Sequence, residues 1–285
     1  MTDDLLAEFA AVRPRLFGIA YRMLGSAVEA EDIVQDSWLR WQATDRSLVR
    51  DVPAFLATIT TRLAITLSQS ARMRHETYIG PWLPEPVDTS ADPTLGAERG
   101  EALSVAVLML LEKLTPTERA AYILREAFDY EYLQISEIIQ VSEASARQLV
   151  SRGRKHLVTE RRQPVTSTQQ ERLLTAFVAA AQSGDLARLE RLLAEDVVSY
   201  SDGGGAVRAS RFPVVGRERV AKFLRAFAPR FWTGVDVELR HVNGQPSAVL
   251  SRDSQTFAVL FISSSPEGVD RVMWLMNPAK LVQLG

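Results

Sequence analysis

The stretch Ser142-Glu-Ala-Ser-Ala-Arg-Gln-Leu-Val-Ser-Arg-Gly-Arg-Lys-His-Leu157 reads as one helix with two unlike sides. Ala146, Leu149, Val150 and Leu157 fall on an apolar side, and Arg147, Arg152, Arg154 and Lys155 on a basic one. Ser142 stands at the N-cap position, where its hydroxyl can satisfy an orphan backbone N–H, and Glu143 complements the positive end of the helix dipole. A shorter apolar segment, Ile135 to Val141, precedes it with almost no linker. Two helices joined by a tight turn, the second basic, form the helix-turn-helix pattern, whose second helix enters a DNA major groove. Basic amphipathic helices also occur as plain solvated surface, so the surrounding chain has to decide.

Charge is the first discriminator. The whole chain of 285 residues carries a net charge of −2, which does not advertise nucleic-acid binding. Its distribution does: from Arg147 to Arg162 six basic residues face Glu160 alone, whereas Glu29, Glu31, Asp32 and Asp36 lie together with no basic neighbour. One face suits phosphate and another suits a basic partner, and intrinsic DNA affinity should be weak because the global field does not favour DNA. Hydrophobic residues make up 46% and charged residues 24%, ordinary for globular protein. With no cysteine and three scattered histidines (His75, His156, His241), neither a disulfide framework nor metal-ligand spacing exists, and no metal or cofactor is expected. The acidic start lacks a signal core, and the apolar run Val105 to Leu111 is far too short for a bilayer, so a cytoplasmic protein with no membrane partner is expected.

Outward from the opening helix, the chain falls into four parts. Residues 1–75 show helical spacing, with Leu16, Ile19, Ala20, Met23 and Leu24, then Ile33, Val34, Trp38, Leu39 and Trp41, then Phe55, Leu56, Ile59, Leu63 and Ile65 after Pro53. Residues 76–100 hold Pro81, Pro84, Pro86 and Pro93 and read as a linker, one whose Trp82 and Leu83 imply docking on a surface. Residues 101–162 form a second helical domain in which Thr115-Pro-Thr-Glu118 is a capping box with proline at the first helical position. Residues 165–285 change character: a helix pair broken at Ser183-Gly-Asp185, a helix from Arg217 to Phe227, and strands at 197–200, 235–242, 248–250, 257–263 and 269–276 with Asn243-Gly244 among the turns.

Helical domain, linker and helix-turn-helix in this order resemble the extracytoplasmic-function (ECF) sigma factors of bacterial RNA polymerase. Tyr21-Arg-Met-Leu-Gly25 through Trp41 is similar to their region 2 signature. Gly80-Pro-Trp-Leu-Pro-Glu-Pro86, Asp202-Gly-Gly-Gly205 and Asn277-Pro-Ala-Lys-Leu281 are similar to the SigJ-like group, which ends in a SnoaL-like domain of NTF2-like fold. The implied architecture is two all-α sigma domains followed by a cone-shaped α+β domain.

The resemblance implies roles for particular residues. Glu31, Asp32, Gln35 and Asp36, paired four apart on one helix, would bind a coiled coil of core RNA polymerase. Trp41, Arg46, Arg50, Arg62, Arg72 and Arg74, with His75, would hold the melted promoter −10 element, where bases stack and cations follow the backbone. Trp38 reads as core. Ser145, Arg147, Gln148, Ser151 and Arg152 would reach base edges of the −35 element, with Arg154 and Lys155 on phosphates. The sequence departs from the family at Thr66-Leu-Ser-Gln69, at Gln140 where glycine is common in the turn, and at Leu149.

SnoaL-like folds include polyketide cyclases, so an enzymatic last domain is one alternative, with Asp202, His241, Asp236 and Asp270 as acid/base candidates and Tyr200, Phe257 and Trp274 as wall residues. A free-standing helix-turn-helix regulator is another. The preferred reading is a non-enzymatic sigma factor whose last domain regulates in cis. That domain would dock against the first domain and the linker through Trp82, Leu83, Pro84, Asp202, Gly203, Gly204, Gly205, Asn277 and Pro278. Such docking could replace a separate anti-sigma factor, and the cavity could hold a small molecule.

Overall fold

The computed structural model describes residues 2–90, 103–160, 162–163 and 165–284, the side chains of 2–4, 71–76, 158–160 and 283 excepted. The chain divides into two compact units, Met1–Glu76 with Asp92–Arg161, and Thr77–Ala91 with Arg162–Gly285. The proline-rich segment is therefore not a separate linker: its described part belongs with the C-terminal domain, and the two helical domains share one unit.

In the helical unit, α1 (Thr2–Leu24) ends at Gly25, whose φ of +66° suits the left-handed turn only glycine adopts freely. Ser26 caps α2 (Ala27–Gln42) by accepting from the Glu29 amide. A 3-10 turn (Arg46–Leu48) leads to α3 (Val52–Glu76). Leu16, Ile19, Ala20 and Met23 of α1 close on Ile33, Val34 and Trp41 of α2 and Leu56 of α3. Each such large side chain contributes on the order of 1.5–3 kcal/mol by leaving water.

The second half of this unit comprises α4 (Val105–Leu111), α5 (Pro116–Glu126), α6 (Tyr132–Ile139) and α7 (Glu143–Glu160). The Thr115/Glu118 capping box starts α5 as its sequence dictates. Arginines join the halves. The buried Arg119 of α5 donates to the carbonyls of Leu111 and, at 2.7 Å, of Met23, and pairs with Glu112 at 2.7 Å. Arg15 donates to the Phe128 carbonyl and lies over the Phe128 and Tyr130 rings. Arg62 of α3 donates to the carbonyls of Ile138 and Glu137, capping the C-terminal end of α6.

The C-terminal unit is α+β. Helices α8 (Ser167–Ser183) and α9 (Leu186–Leu192), the latter starting at the Asp185 cap after Gly184, run into β1 (Leu193–Asp202). Then come β2 (Val214–Val215), α10 (Arg217–Phe231), β3 (Asp236–Val242), β4 (Gln245–Arg252), β5 (Gln255–Ser265), β6 (Gly268–Leu275) and a single helical turn, α11 (Pro278–Leu281). The sheet order is β2-β1-β6-β5-β4-β3, antiparallel except for the β1–β6 pair. β1 starts four residues before the alternation in the sequence suggests, and the two-residue β2 is too short to leave a periodic signal. Leu174, Phe177, Leu189, Val220, Leu260 and Trp274 belong to the core between the helices and one face of the sheet.

β3 is an edge strand, and open edges invite pairing with other chains. Residues 87–89 cover one end of it. The Val87 amide donates to Asn243 Oδ1 and the Asn243 amide to the Val87 carbonyl, at 2.9 and 2.8 Å. The Thr89 amide donates to the His241 carbonyl, and Asp88 pairs with Arg240 at 2.9 Å. Residues 77–90, called the strap below, are thus built onto the sheet.

Candidate functional site

On α7 the two sides separate as the pattern predicts: Ala146, Leu149, Val150 and Leu157 are buried, while Arg147, Gln148, Ser151, Arg152, Arg154 and Lys155 are exposed. Ser142 Oγ accepts from the Ser145 amide at 3.1 Å and meets the Ser145 hydroxyl at 2.8 Å, so Ser145 spends its hydroxyl on the cap. Gln148, Ser151, Arg152 and Lys155 recur at three- and four-residue intervals, which places them on one face. The arginines on and beside this face are already engaged. Arg147 pairs with Glu143 at 2.5 Å and stacks on Tyr132, Arg154 takes Glu126 at 2.6 Å, and Arg152 lies 3.4 Å from Glu118. The Arg147–Glu143 pair is exposed on both sides and of small net worth, whereas the carboxylates that hold Arg152 and Arg154 are largely covered. In the turn, Gln140 adopts the left-handed conformation (φ +56°) that glycine would adopt without strain.

On α2, Asp32, Gln35 and Asp36 are exposed, and Glu31 is half-exposed in a 2.5 Å pair with Arg13. The acidic face is therefore outward. Trp41 requires correction as a DNA-stacking candidate: it is 0% exposed and packs on Phe55 at 5.9 Å between ring centroids. Trp38 is partly buried against Phe9. Arg46 and Arg50 are exposed at and after the 3-10 turn. Arg62 is committed through Nε and Nη2 to α6, so a DNA contact there would compete with that cap. The side chains of Arg72, Arg74 and His75 lie outside the described residues.

The strongest electrostatic arrangement is in the C-terminal unit, where the strap meets the ends of β1 and β6. Asp202, wholly buried, accepts from Tyr78 Oη at 2.5 Å, the Leu83 amide at 2.9 Å, the Gly204 amide at 3.1 Å and Lys280 Nζ at 2.8 Å. The Lys280 side chain is only 7% exposed; it also donates to the Leu83 carbonyl at 2.5 Å and lies over the rings of Tyr78 and Trp82. Asn277 caps α11 through the Ala279 amide and donates to Tyr78 Oη at 2.8 Å. Burial, and then the hydrogen bond and charge of Asp202, push the Tyr78 phenol well above its ordinary range, which keeps it a donor.

The glycines of Asp202-Gly-Gly-Gly205 are a steric requirement. A Cβ on Gly204 (φ +58°) would sit 2.3 Å from Asn277 Nδ2, and one on Gly203 would sit 2.4 Å from the Val207 carbonyl oxygen. Every candidate docking residue touches this cluster or is buried beside it except Gly205, which is exposed next to Ile79, and Pro278, which is exposed and opens α11. Two participants carried no strong local signal: Tyr78, an isolated aromatic residue, and Lys280, whose type reads as surface. The proximity of Lys280 to Asn277-Pro278 was the one hint.

The acid/base candidates do not assemble. Asp202 is consumed by the strap, His241 and Asp236 are exposed on the edge strand, and Asp270 is buried on β6 with one oxygen unpaired. A cavity does open beside α10, walled by Phe223, Phe227, Phe231, Trp232 and Trp274. Of the expected wall residues only Trp274 lines it. Among the described residues no helix is long and apolar enough to cross a membrane, and no group of potential metal ligands occurs.

Residues 9–73 match the family described as Sigma-70 region 2, residues 104–157 Sigma-70 region 4, and residues 174–273 the SnoaL-like domain. The chain is 35% identical over 253 residues to the ECF RNA polymerase sigma factor SigJ of Mycobacterium tuberculosis, spanning 85% of this chain and 80% of that one. It is 29% identical to the probable ECF RNA polymerase sigma factor SigI of the same species, over 98% of this chain and 95% of the other. The crystal structure of M. tuberculosis SigJ superposes with a TM-score of 0.78 at 31% identity, covering 98% of both chains. A helix-turn-helix with an exposed basic face, an outward acidic helix and a C-terminal α+β cone thus coincide with matches over nearly the whole chain, and the protein belongs to the ECF RNA polymerase sigma factors with a C-terminal SnoaL-like domain.

Proposed function

We propose that this sigma factor joins core RNA polymerase through Glu31, Asp32, Gln35 and Asp36, and that its last domain regulates initiation in cis by holding the strap. The acidic face would meet a basic surface of the polymerase, where charge complementarity sets orientation and on-rate more than affinity. Arg147, Gln148, Ser151 and Arg152 would read bases of the −35 major groove, with Arg154 and Lys155 on phosphates. Arg46 and Arg50, with Arg72 and Arg74, would follow the −10 backbone. Arg62 would join them once it leaves α6, which makes the closed packing of the two helical halves a competitor of promoter contact.

The observation that carries the regulatory part is the buried Lys280–Asp202 pair clamping Leu83 and Tyr78. The strap connects the two sigma regions, so fixing it to the SnoaL-like domain limits where those regions can go. In this reading the cis contact replaces a separate anti-sigma protein. In this reading the domain serves as a brace rather than a catalyst, with Asp202 used structurally and the cavity beside α10 lined by no Asp, Glu, His, Lys or Tyr.

Run-off transcription with core polymerase, on a template carrying the promoter upstream of the chain's own gene, tests this. The full-length chain should yield transcripts, and Lys280→Met should change their amount or start site. Equal output from both would refute regulation by the strap, and failure of the full-length chain to bind core polymerase would refute the initiation role.

A further inference from the structure

The cavity beside α10 has a volume of about 190 Å³. That is below the roughly 300–1,000 Å³ of sites for drug-sized ligands, so it suits a one-ring molecule. Its walls are Phe223, Phe227, Phe231, Trp232 and Trp274, with ring centroids of Phe231 5.1 and 5.3 Å from Trp232 and Trp274. Aromatic rings at this spacing offer faces and edges to another flat ring. One charged donor accompanies them. Arg208 lines the rim, exposed and without a carboxylate partner among the described residues.

An aromatic box by itself also suits a quaternary ammonium ion. Here the charged lining group is a cation, and no carboxylate lines the cavity. The field therefore selects against a cationic guest and for an anionic one, and the planar guanidinium matches a carboxylate in a two-pronged way. We propose that this cavity is a binding site for a small planar aromatic carboxylate.

Its position makes occupancy readable by the strap. Ser201 and Met276, which line the cavity, immediately precede Asp202 and Asn277. The rim loop that carries Arg208 and Ser210 packs on the strap side as well: a Cβ on Gly80 would meet the Ser210 carbonyl oxygen and Arg211 Cα at 3.8 Å, and a Cβ on Gly203 would meet Ala209 Cβ at 2.9 Å. A guest that tightens the rim changes the seat of Tyr78 and Leu83. This regulatory consequence rests on the cis reading above; the binding site does not.

Calorimetric titration of the full-length chain with benzoate, benzyl alcohol and benzyltrimethylammonium separates the alternatives, carried to about 10 mM because a ligand of so few atoms binds weakly. Benzoate should bind, Arg208→Gln should weaken it at least tenfold while leaving benzyl alcohol unchanged, and Phe227→Ser should weaken both. Both residues are exposed, Phe227 by 48%, so the variants should fold. No benzoate heat, equal affinity in Arg208→Gln, or preference for benzyltrimethylammonium would overturn the assignment. Amide exchange at Leu83, followed with and without benzoate, should slow on binding; binding without that change would leave the site standing and refute its coupling to the strap.

Discussion

Replacing Lys280 by methionine keeps most of the side-chain volume and removes one charge of a buried pair. Breaking such a pair from one side typically costs about 3–5 kcal/mol, because the remaining charge is left uncompensated. Here Asp202 would retain Tyr78 Oη and the amides of Leu83 and Gly204 as donors, which places the expected cost near the lower figure, about 3 kcal/mol. The penalty falls on the closed strap, since in the open state Asp202 reaches water. At about 1.4 kcal/mol per decade, the opening equilibrium should rise roughly 100-fold. Native-state hydrogen exchange at the Leu83 amide, which donates to Asp202, reports this opening directly. Lys222→Met, which removes an exposed pair with Glu218, is the matched control and should leave the strap unaffected. The double variant Asp202→Asn/Lys280→Met should be less destabilised than the sum of its singles, because no lone charge remains. Exchange at Leu83 within threefold of the parent in a folded Lys280→Met protein, or strict additivity in the cycle, would refute the reasoning.

Asp270 is held above the ordinary carboxylate range, mainly by burial. A raised folded-state value stabilises the protein at low pH and is lost as pH climbs from the ordinary carboxylate value through the raised one. Asp270→Asn should therefore gain stability over the parent at neutral pH and not at about pH 4, as urea titrations at the two pH values would show. Gln140→Gly should stabilise the helical unit by about 1 kcal/mol in urea unfolding, by relieving the left-handed turn. In holoenzyme–promoter binding, Lys155→Gln should lower the salt slope by about one and weaken all sequences alike. Arg147→Gln should instead alter preference at one base pair, and identical behaviour of the two would refute the division into anchor and reader.

Local signals carried much of the fold. The capping box at Thr115, the cap at Ser142 and the Asn243-Gly244 turn are short-range chemistry, and each occurs where the pattern puts it. The buried stripe of α7 follows from its 3.6-residue period. What periodicity could not separate was a tryptophan that packs from one that stacks: Trp38 and Trp41 lie on the same helix side, yet Trp41 is sealed by Phe55 of α3 while Trp38 remains partly open. Nor could it show that Arg62 and Arg119 join the two helical halves, because their acceptors are backbone carbonyls, which every residue supplies.

The strap site was half legible for a related reason. Three segments, 78–83, 202–205 and 277–280, each carry odd features: a tryptophan between prolines, a triple glycine, a proline-started turn. The glycines and the asparagine fit one another through sterics that only the folded backbone reveals. The pairing of Asp202 with Lys280 is longer-range still, and lysine is the residue type least expected in a core. A hydrophobic contact of the same area would hold the strap at least as firmly, since buried ion pairs seldom outperform apolar packing. It would also tolerate sliding. Four donors on one carboxylate, one of them the Leu83 amide, define a single register for the chain. Such a contact is poorly suited to adding stability and well suited to being either made or broken, the property that the proposed regulation in cis requires.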